Sequence, residues 1–353
     1  MVLMRKLKIC LCGAQVPFVR GGAEELLDSL KAQLEKRGHS VDIVKLPFKW
    51  HPNQEVINNC LAWRLLDLSH SSGQSIDLVI STKFPSYLIR HPKKIIWLVH
   101  QFRQVYDFYA SPYSAFQNNL LDNELRHKII QLDTQAMKEA RRLFAISENV
   151  RKRCLKYNGI ETEVLYPPLD NPQDYYTEDY GDYLLSVSRL EEDKRVNLLL
   201  KALSMAPSKI KAYIVGQGTQ KPKLLALRDK LGLAERVEFL DYIDREELLK
   251  LYADCFAVCF CPLDEDYGYV TLEAFQSKKP IITSNDSGGV LEFVHQGKNG
   301  FICQPKPKAI ASRIELLFKD RKLCRRLGEK GYERIHNITW ENTIAKLLSE
   351  AEK

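Results

Sequence analysis

Residues 257–301 read AVCFCPLDEDYGYVTLEAFQSKKPIITSNDSGGVLEFVHQGKNGF, and this stretch decides the fold. The apolar run 257–261 is stopped by Pro262, an acidic turn containing a glycine follows, TLEAF opens a helical pattern, and KPIITS returns as a short apolar strand. The pattern predicts strand, loop, helix and strand, which is the repeating unit of an open parallel sheet. Such sheets bind ligands beyond the carboxyl ends of their strands, where this loop lies.

Two glutamates, Glu265 in the loop and Glu273 in its helix, frame this turn. We predict that the helix begins at Gly268 and that its free amides form a positive end suited to a phosphate. Glu273 then suits sugar hydroxyls such as those of a ribose, while Glu265 faces what lies beyond the phosphates. Taken alone, the pair fits ordinary solvated glutamates better than ligand-binding ones. The amides concerned are those of Tyr269, Val270 and Thr271.

The whole chain repeats this alternation of strands and helices. Its 353 residues have ordinary apolar and charged fractions, which favours two folded domains over disorder. We predict an α/β protein with two Rossmann-like, doubly wound parallel-sheet domains, residues 1–168 and 183–337. The Pro-, Asp- and Tyr-rich segment 169–182 is the predicted linker, and the last helix, within 338–353, is expected to pack back on the first domain.

The lengths of the apolar runs and the placement of the cysteines indicate in which compartment the protein resides. The apolar runs are far shorter than the roughly 20 residues that span a bilayer, and the first residues lead into a strand, so we expect a cytoplasmic protein. Nine cysteines, mostly inside apolar strands, indicate reduced core residues, and no metal site is predicted.

The net charge of +7 lies entirely in residues 1–170, which hold 24 Lys and Arg against 17 Asp and Glu (24 − 17 = +7). The basic run 138–156 contributes much of this excess. It suits either an anionic membrane surface, such as the inner face of the cell membrane, or a solvated face, and both remain open. Nucleic acid is not an expected partner because no reading motif accompanies the charge.

Other candidate residues follow predicted strands. Gly21 and Gly22 precede the first helix, and His100 ends the strand KKIIWLVH, where it could donate a hydrogen bond or carry a proton. Arg189 and Lys194 follow the strand YLLSV and could bind a phosphate. Each signal is weak alone, but together they predict a phosphorylated nucleotide between the two halves.

The segment 101–116 holds six aromatic residues in sixteen. Their spacing fits neither a helical stripe nor a tight turn. Such rings could stack on sugar faces, line the cleft between domains or pack in the core, and core packing is the commonest fate.

Several motifs, in this order, resemble the retaining nucleotide-sugar glycosyltransferases of family 4 (group 1): SRLEEDKRVNLLLKA, VGQG, FLDYIDREELLKLYADC, DEDYGYVTLEAF, SNDSGGVLEFV and GKNGF. GGAEELLDSLKAQLEKRGHSV resembles the start of their first domain, so the likeness covers almost the whole chain. It implies a GT-B fold, with two domains facing each other across a cleft. It also implies transfer of a hexose from a GDP- or UDP-sugar to a glycan or lipid-linked acceptor, in cell-surface polysaccharide or glycolipid synthesis, without a metal or cofactor.

The resemblance also implies roles for single residues. Arg189 and Lys194 would hold the donor diphosphate, Glu273 the ribose and Glu265 the transferred sugar, with His100 near that sugar. Proton transfer to the leaving phosphate and retention of configuration are part of the same inference. The remaining donor contacts implied by the family are Gly21, Gly22, Gly216, Tyr242, Ile243, Gly268, Tyr269, Val270 and Thr271.

Three positions depart from the family pattern. Lys278 stands where glycine is common, Tyr267 replaces a usual Phe, and Glu25 follows GGAE where a basic residue is frequent. None of them removes a proposed donor contact. The alternatives are another GT-B enzyme, such as a nucleotide-sugar epimerase or an inverting transferase, and a nucleotide-sugar-binding module without turnover.

Overall fold

A computed structural model describes residues 6–19 and 21–349. The chain forms two compact units. One takes the described residues up to 170 together with 338–349, and the other takes 171–337.

The first unit is built on a parallel sheet with the strand order β2-β1-β5-β6-β7-β8. A small hairpin of β3 and β4 stands apart from it. The strands are β1 Lys8–Gln15, β2 Ser40–Pro47, β3 His70–Ser71, β4 Gln74–Ser75, β5 Leu78–Lys83, β6 Lys94–His100, β7 Arg142–Ala145 and β8 Glu163–Val164. The helices are α1 Gly22–Lys36, α2 Glu55–Leu65, α3 Leu120–Lys138 and α4 Glu148–Asn158.

The second unit repeats this plan with the order β11-β10-β9-β12-β13-β14, again parallel throughout. Its first strand, β9, lies inside the sheet between β10 and β12, so the chain winds outward in both directions. The strands are β9 Tyr183–Val187, β10 Lys211–Val215, β11 Val237–Leu240, β12 Ala257–Cys259, β13 Ile281–Ser284 and β14 Gly300–Cys303. The helices are α5 Val196–Leu203, α6 Lys221–Lys230, α7 Arg245–Asp254, α8 Tyr269–Gln276, α9 Pro307–Lys319 and α10 Arg321–Ile335.

The final helix, α11 Trp340–Leu348, packs on the first unit. The indole nitrogen of the buried Trp340 donates to the Leu169 carbonyl at 3.0 Å, and its ring lies edge-on to that of Trp97. Thr339 caps the helix by accepting from the Asn342 amide. A capped helix with one apolar face therefore completes the first core.

The predicted α/β architecture is confirmed for both units, because apolar strands such as β6 and β12 are buried between helical layers. Local contacts set the ends of several helices. Helix α3 begins at Leu120, because Asn119 caps it by accepting from the Asp122 amide. Helix α2 ends at Leu65, ahead of the β3–β4 hairpin. Residues Gly288–Glu292 form a short 3₁₀ turn.

All nine cysteines are free and buried, which confirms their predicted place in the cores. Burial raises the pKa of several of them, Cys303 to about 11 among them, so these thiols stay protonated at neutral pH. No helix within the described residues is long and apolar enough to cross a bilayer.

Candidate active site

The centre of the candidate site is the loop between β12 and α8. Gly268 caps α8 in the left-handed conformation, with φ 87°, and a Cβ there would lie 2.8 Å from Cγ2 of Val290. Only glycine meets both demands without strain. Helix α8 therefore begins at Tyr269, and its N-terminus lies at the carboxyl edge of the sheet. Of the three amides predicted to bind a phosphate, that of Thr271 donates to the Gly268 carbonyl at 2.9 Å.

Lys194 and Glu265 meet at this edge. The Lys194 ammonium lies 2.5 Å from the Glu265 carboxylate and 3.0 Å from that of Asp193, and the lysine side chain is only 11% exposed. Burial acts to lower the pKa of Lys194, but the two neighbouring carboxylates outweigh it and raise the pKa. The lysine is therefore a fixed, permanently charged ammonium. Sequence reasoning assigned these two residues to different parts of a ligand and did not foresee that they would be in direct contact.

Glu273 lies one turn into α8 and is held by a tyrosine. The hydroxyl of the fully buried Tyr252 donates to its carboxylate at 2.6 Å. Burial, together with the charge of Glu273, raises the pKa of Tyr252 well above its usual value, so the tyrosine remains a donor. The tyrosine thus orients one carboxylate oxygen.

Arg189 and Gly216 lie at the ends of adjacent strands, β9 and β10. Arg189 is exposed, and within the described residues its guanidinium makes no hydrogen bond or ion pair. Gly216 has φ 135°, and a Cβ there would lie 1.9 Å from the Ser188 carbonyl oxygen. This glycine is required because the two loops approach each other so closely. Because Gly216 has no side chain, the backbone next to Arg189 can lie directly against it.

Tyr242 and Ile243 follow β11, the edge strand of the same sheet. Tyr242 is 86% exposed, while Ile243 is half-buried. The second unit therefore places all its predicted site residues at the carboxyl ends of strands or at the start of α8. They are Arg189, Lys194, Gly216, Tyr242, Ile243, Glu265, Gly268, Tyr269, Val270, Thr271 and Glu273.

The first unit has a smaller polar group at the corresponding edge. The Gly21 amide, just before α1, donates to the Glu24 carboxylate at 3.0 Å, and Glu24 also pairs with Lys83 at the end of β5. His100 ends β6 beside Lys83 in the sheet register, and its Nδ1 lies 3.0 Å from the Gln101 carbonyl oxygen. The structure thus brings the candidate His100 and the glycine pair to one sheet edge.

The second unit is similar to a known protein family. Residues 172–334, almost the whole of that unit, match the family model described as glycosyl transferases group 1. The two units together have the GT-B fold. The match to HepE of Anabaena, solved with UDP and glucose, has a TM-score of 0.73 at 19% identity and covers 97% of this chain and 99% of that one. Sucrose-phosphate synthase of Thermosynechococcus elongatus gives a TM-score of 0.80 at 17% identity, covering 98% of both chains.

Curated relatives include the alpha-1,3/1,6-mannosyltransferase ALG2 of two organisms. The Dictyostelium discoideum protein is 29% identical over 175 residues, which is 44% of this chain and 41% of that protein. The human protein is 26% identical over 202 residues, 50% of this chain and 48% of that protein. The chain therefore spans about half the length of the curated relatives it matches.

Sequence reasoning missed two residues of this unit, Tyr252 and Arg195. Tyr252 lies at a position where any apolar residue could stand on a helix, so the sequence pattern did not indicate its contact with Glu273. Arg195 was hidden in a run of charges, yet it binds Asp286 through two hydrogen bonds of 2.7 and 2.8 Å. Only the positive φ of Arg195, 51°, marks it as unusual, and φ cannot be read from sequence.

Aromatic rings fill the carboxyl edge of the first sheet. Phe48, Phe84 and Phe102 follow β2, β5 and β6 and contact one another at centroid distances of 5.4–5.7 Å. In the aromatic segment 101–116, Phe102, Tyr106 and Phe116 are buried, so core packing explains half of its six rings. Phe18, in the loop after β1, is fully exposed with φ 63°.

The basic run 138–156 is partly neutralised by acids of its own unit. Three of its arginines form ion pairs of 3.4 Å or less, so the local positive field is weaker than the sequence indicates. The pairs are Arg142 with Glu163, Arg151 with Glu148 and Glu161, and Arg153 with Asp107. No group of three or more His, Cys, Asp or Glu side chains within residues 6–19 and 21–349 could hold a metal ion.

Proposed function

We propose that this chain transfers a hexose from a nucleoside diphosphate sugar, GDP- or UDP-linked, to a glycan or lipid-linked acceptor, with retention of configuration and without a metal. The proposal rests above all on the half-buried Lys194–Glu265 ion pair, which lies beside the N-terminus of α8. A fixed cation and a positive helix end suit the diphosphate, and a carboxylate beside them suits sugar hydroxyls. The relatives named as mannosyltransferases and the neighbour solved with UDP and glucose support the same reading.

In the proposed reaction the bond between the anomeric carbon and the diphosphate oxygen breaks, and negative charge grows on the departing oxygens. Lys194, Arg189 and the first amides of α8 stabilise that charge more than they stabilise the ground state. By analogy with an oxyanion donor, each contributes about 3 kcal/mol to the transition state. These positive groups neutralise the leaving diphosphate, so metal independence is part of the proposal.

Glu273 and Glu265 bind different parts of the donor. Glu273, oriented by Tyr252, accepts hydrogen bonds from the ribose hydroxyls. Glu265 accepts from hydroxyls of the transferred sugar, and its contact with Lys194 couples sugar position to phosphate position. The acceptor hydroxyl attacks from the side on which the diphosphate departs, and the leaving phosphate takes its proton.

The test starts with a thermal-shift screen of GDP- and UDP-sugars, because a ligand that binds the native state raises the unfolding midpoint. Transfer to an acceptor panel is then measured with and without EDTA, and NMR gives the anomeric configuration of the product. Donor stabilisation and a retained product that forms in EDTA support the proposal. An inverted product favours an inverting transferase, an isomerised donor favours an epimerase, and donor binding without any product favours a binding module.

We propose further that the enzyme works in the cytoplasm at the inner face of the cell membrane. The +7 excess of residues 1–170 supports attraction to anionic lipid. The protein should then sediment with anionic vesicles at low salt and be released as the salt concentration rises. It should not bind neutral vesicles. Absence of binding at low salt would remove this part of the proposal without affecting the donor site.

A further inference from the structure

Arg195 directly follows Lys194 and has a backbone conformation that is unusual for its type. Its φ of 51° and ψ of 38° lie in the left-handed region, which non-glycine residues seldom adopt. Such strain persists only where surrounding contacts hold it. The strained backbone also separates two neighbouring side chains, because Lys194 contacts Glu265 while Arg195 contacts Asp286.

The guanidinium of Arg195 joins the ends of two strands by contacting five oxygen atoms. Nε donates to the Cys261 carbonyl at 2.9 Å, and Nη1 donates to Asp286 Oδ2 at 2.8 Å. The two hydrogens of Nη2 are shared among the Pro262 carbonyl at 2.7 Å, Asp286 Oδ1 at 2.7 Å and the Ser284 hydroxyl at 2.8 Å. The Arg195 hydrogen bond holds the pKa of Asp286 below its usual value, so the pair stays charged at neutral pH.

Backbone hydrogen bonds extend this junction into the loop that carries Glu265. The Leu263 amide donates to the Asp193 carbonyl at 2.7 Å, and the Asp264 amide donates to the Asp286 carbonyl at 2.8 Å. The Glu265 carbonyl accepts from the Gly289 amide at 2.7 Å. The loop is thus attached on one side to the turn that carries Lys194 and on the other to the turn after β13.

We infer that Arg195 is the positioning residue of this loop and that its contacts fix the Glu265 carboxylate against the Lys194 ammonium. Arg195 acts through Lys194 and Glu265 and not on the donor itself. A planar guanidinium binds a carboxylate through two parallel bonds and still reaches carbonyl groups, which an ammonium cannot reproduce. The consequence for turnover rests on the proposed function, whereas the consequence for loop order does not.

The first test compares Arg195→Met with Arg236→Met. Arg236 is a matched control, since it is a half-buried arginine of the same unit that donates to the carbonyls of Pro207 and Ile210 at 3.0 and 3.1 Å. In hydrogen exchange, Arg195→Met should speed the amides of Leu263, Asp264 and Gly289 about tenfold or more, because each such bond is protected only while the loop is closed.

Arg236→Met should leave those three amides unchanged. Unaltered protection in Arg195→Met overturns the inference, and so does an equal loss in both variants, since that would indicate general destabilisation.

The second test is a double-mutant cycle with Lys194→Ala. Alone, Arg195→Met should lower kcat about 10- to 100-fold, since a displaced group costs up to about 100-fold. On the Lys194→Ala background it should cost less than about twofold, because residues acting through one contact are not additive. Additive losses would show a separate, merely structural role and overturn the inference. Arg195→Lys should restore only part of the rate, and full restoration would exclude the paired guanidinium geometry.

The proposed function and the proposed role of Arg195 can be disproved independently. Absence of transfer by the wild-type protein contradicts the proposed function alone. The exchange comparison still decides whether Arg195 orders the loop, because it needs no substrate.

Discussion

The carboxyl edges of the two sheets share a topology but present different chemistry. The second sheet places a half-buried ammonium between two carboxylates, and a tyrosine fixes a further carboxylate on α8. The first sheet places aromatic rings at the ends of β2, β5 and β6, and Lys83 at the end of β5 forms an ion pair with Glu24 of α1. Polar groups held in place before a ligand arrives suit a charged donor. Two of these three rings, Phe84 and Phe102, are buried, so they stabilise the end of the first sheet by packing on each other.

Loss of the ammonium should have the largest effect. We expect Lys194→Ala to lower kcat about 10²–10³-fold, because the departing diphosphate loses a fixed donor that acts mainly in the transition state. The change in kcat is measured by steady-state kinetics, with a donor identified by the thermal-shift screen. Lys201→Ala, on the exposed face of α5, is the matched control and should leave kcat unchanged. A Lys194→Ala enzyme as fast as wild type would remove the proposed role of this lysine.

The glycine loops of the two units should lose very different amounts of stability when a methyl group is added. Gly216→Ala brings a Cβ to 1.9 Å from the Ser188 carbonyl oxygen at φ 135°, so we expect a loss of about 3 kcal/mol in unfolding free energy. Gly21→Ala has φ −163° and its nearest described neighbour is Glu24 at 3.8 Å, so the cost should stay near 0.5 kcal/mol.

Urea titrations measure both glycine variants. Equal costs would contradict this distinction. If Gly21→Ala is stable but has a raised donor KM, then Gly21 is kept for a ligand and not for packing.

These two glycines also show what the sequence could predict. Alternating apolar runs gave both sheets and the strand ends that carry the candidate residues, because burial and periodicity are local properties of the chain. The sequence did not reveal why each glycine is present, since this depends on whether a carbonyl from a neighbouring strand lies within reach. Arg195 and Tyr252 were missed for the same reason, because their partners lie on other elements.

The buried carboxyls of the two units should differ in pH response. In contrast to Glu265, the fully buried Asp133 on α3 has no cation among its described hydrogen-bond partners, and accepts from the Tyr106 hydroxyl at 2.6 Å. Burial raises the pKa of Asp133 to about 7, although the Tyr106 bond opposes this. The folded state then holds a proton that the unfolded state has released, so wild-type stability falls as pH rises from about 5 to 7.

Asp133→Asn removes this dependence. The unfolding free energy of the variant relative to wild type should therefore improve by about 2 kcal/mol over that interval, since one pKa unit corresponds to about 1.4 kcal/mol. Other groups near this site, the thiols of Cys60 and Cys154 and the Tyr106 hydroxyl, stay neutral because their pKa values are raised. A difference that does not change with pH would show that Asp133 is ionised in the folded protein.

Removal of one hydroxyl should have the smallest effect. We expect Tyr252→Phe to raise the donor KM about fivefold with little change in kcat, because Glu273 loses one orienting bond of about 1 kcal/mol but keeps its charge. Tyr183→Phe is the matched control, since its hydroxyl donates at 2.9 Å to the Leu251 carbonyl on the same helix, α7. The two variants should lose similar stability, and a KM raised equally in both would show that Glu273 needs no orienting partner.

The path of the last helix imposes an order on biosynthesis. The Trp340 indole bonds to the Leu169 carbonyl across 171 residues of sequence, and all of the second unit lies between them. The ribosome therefore completes the second core while the first still lacks a helix, and the first unit closes only when α11 emerges. Until then the ring of Trp97 lacks its contact with the ring of Trp340. Chaperones that bind exposed apolar surface can act during this interval.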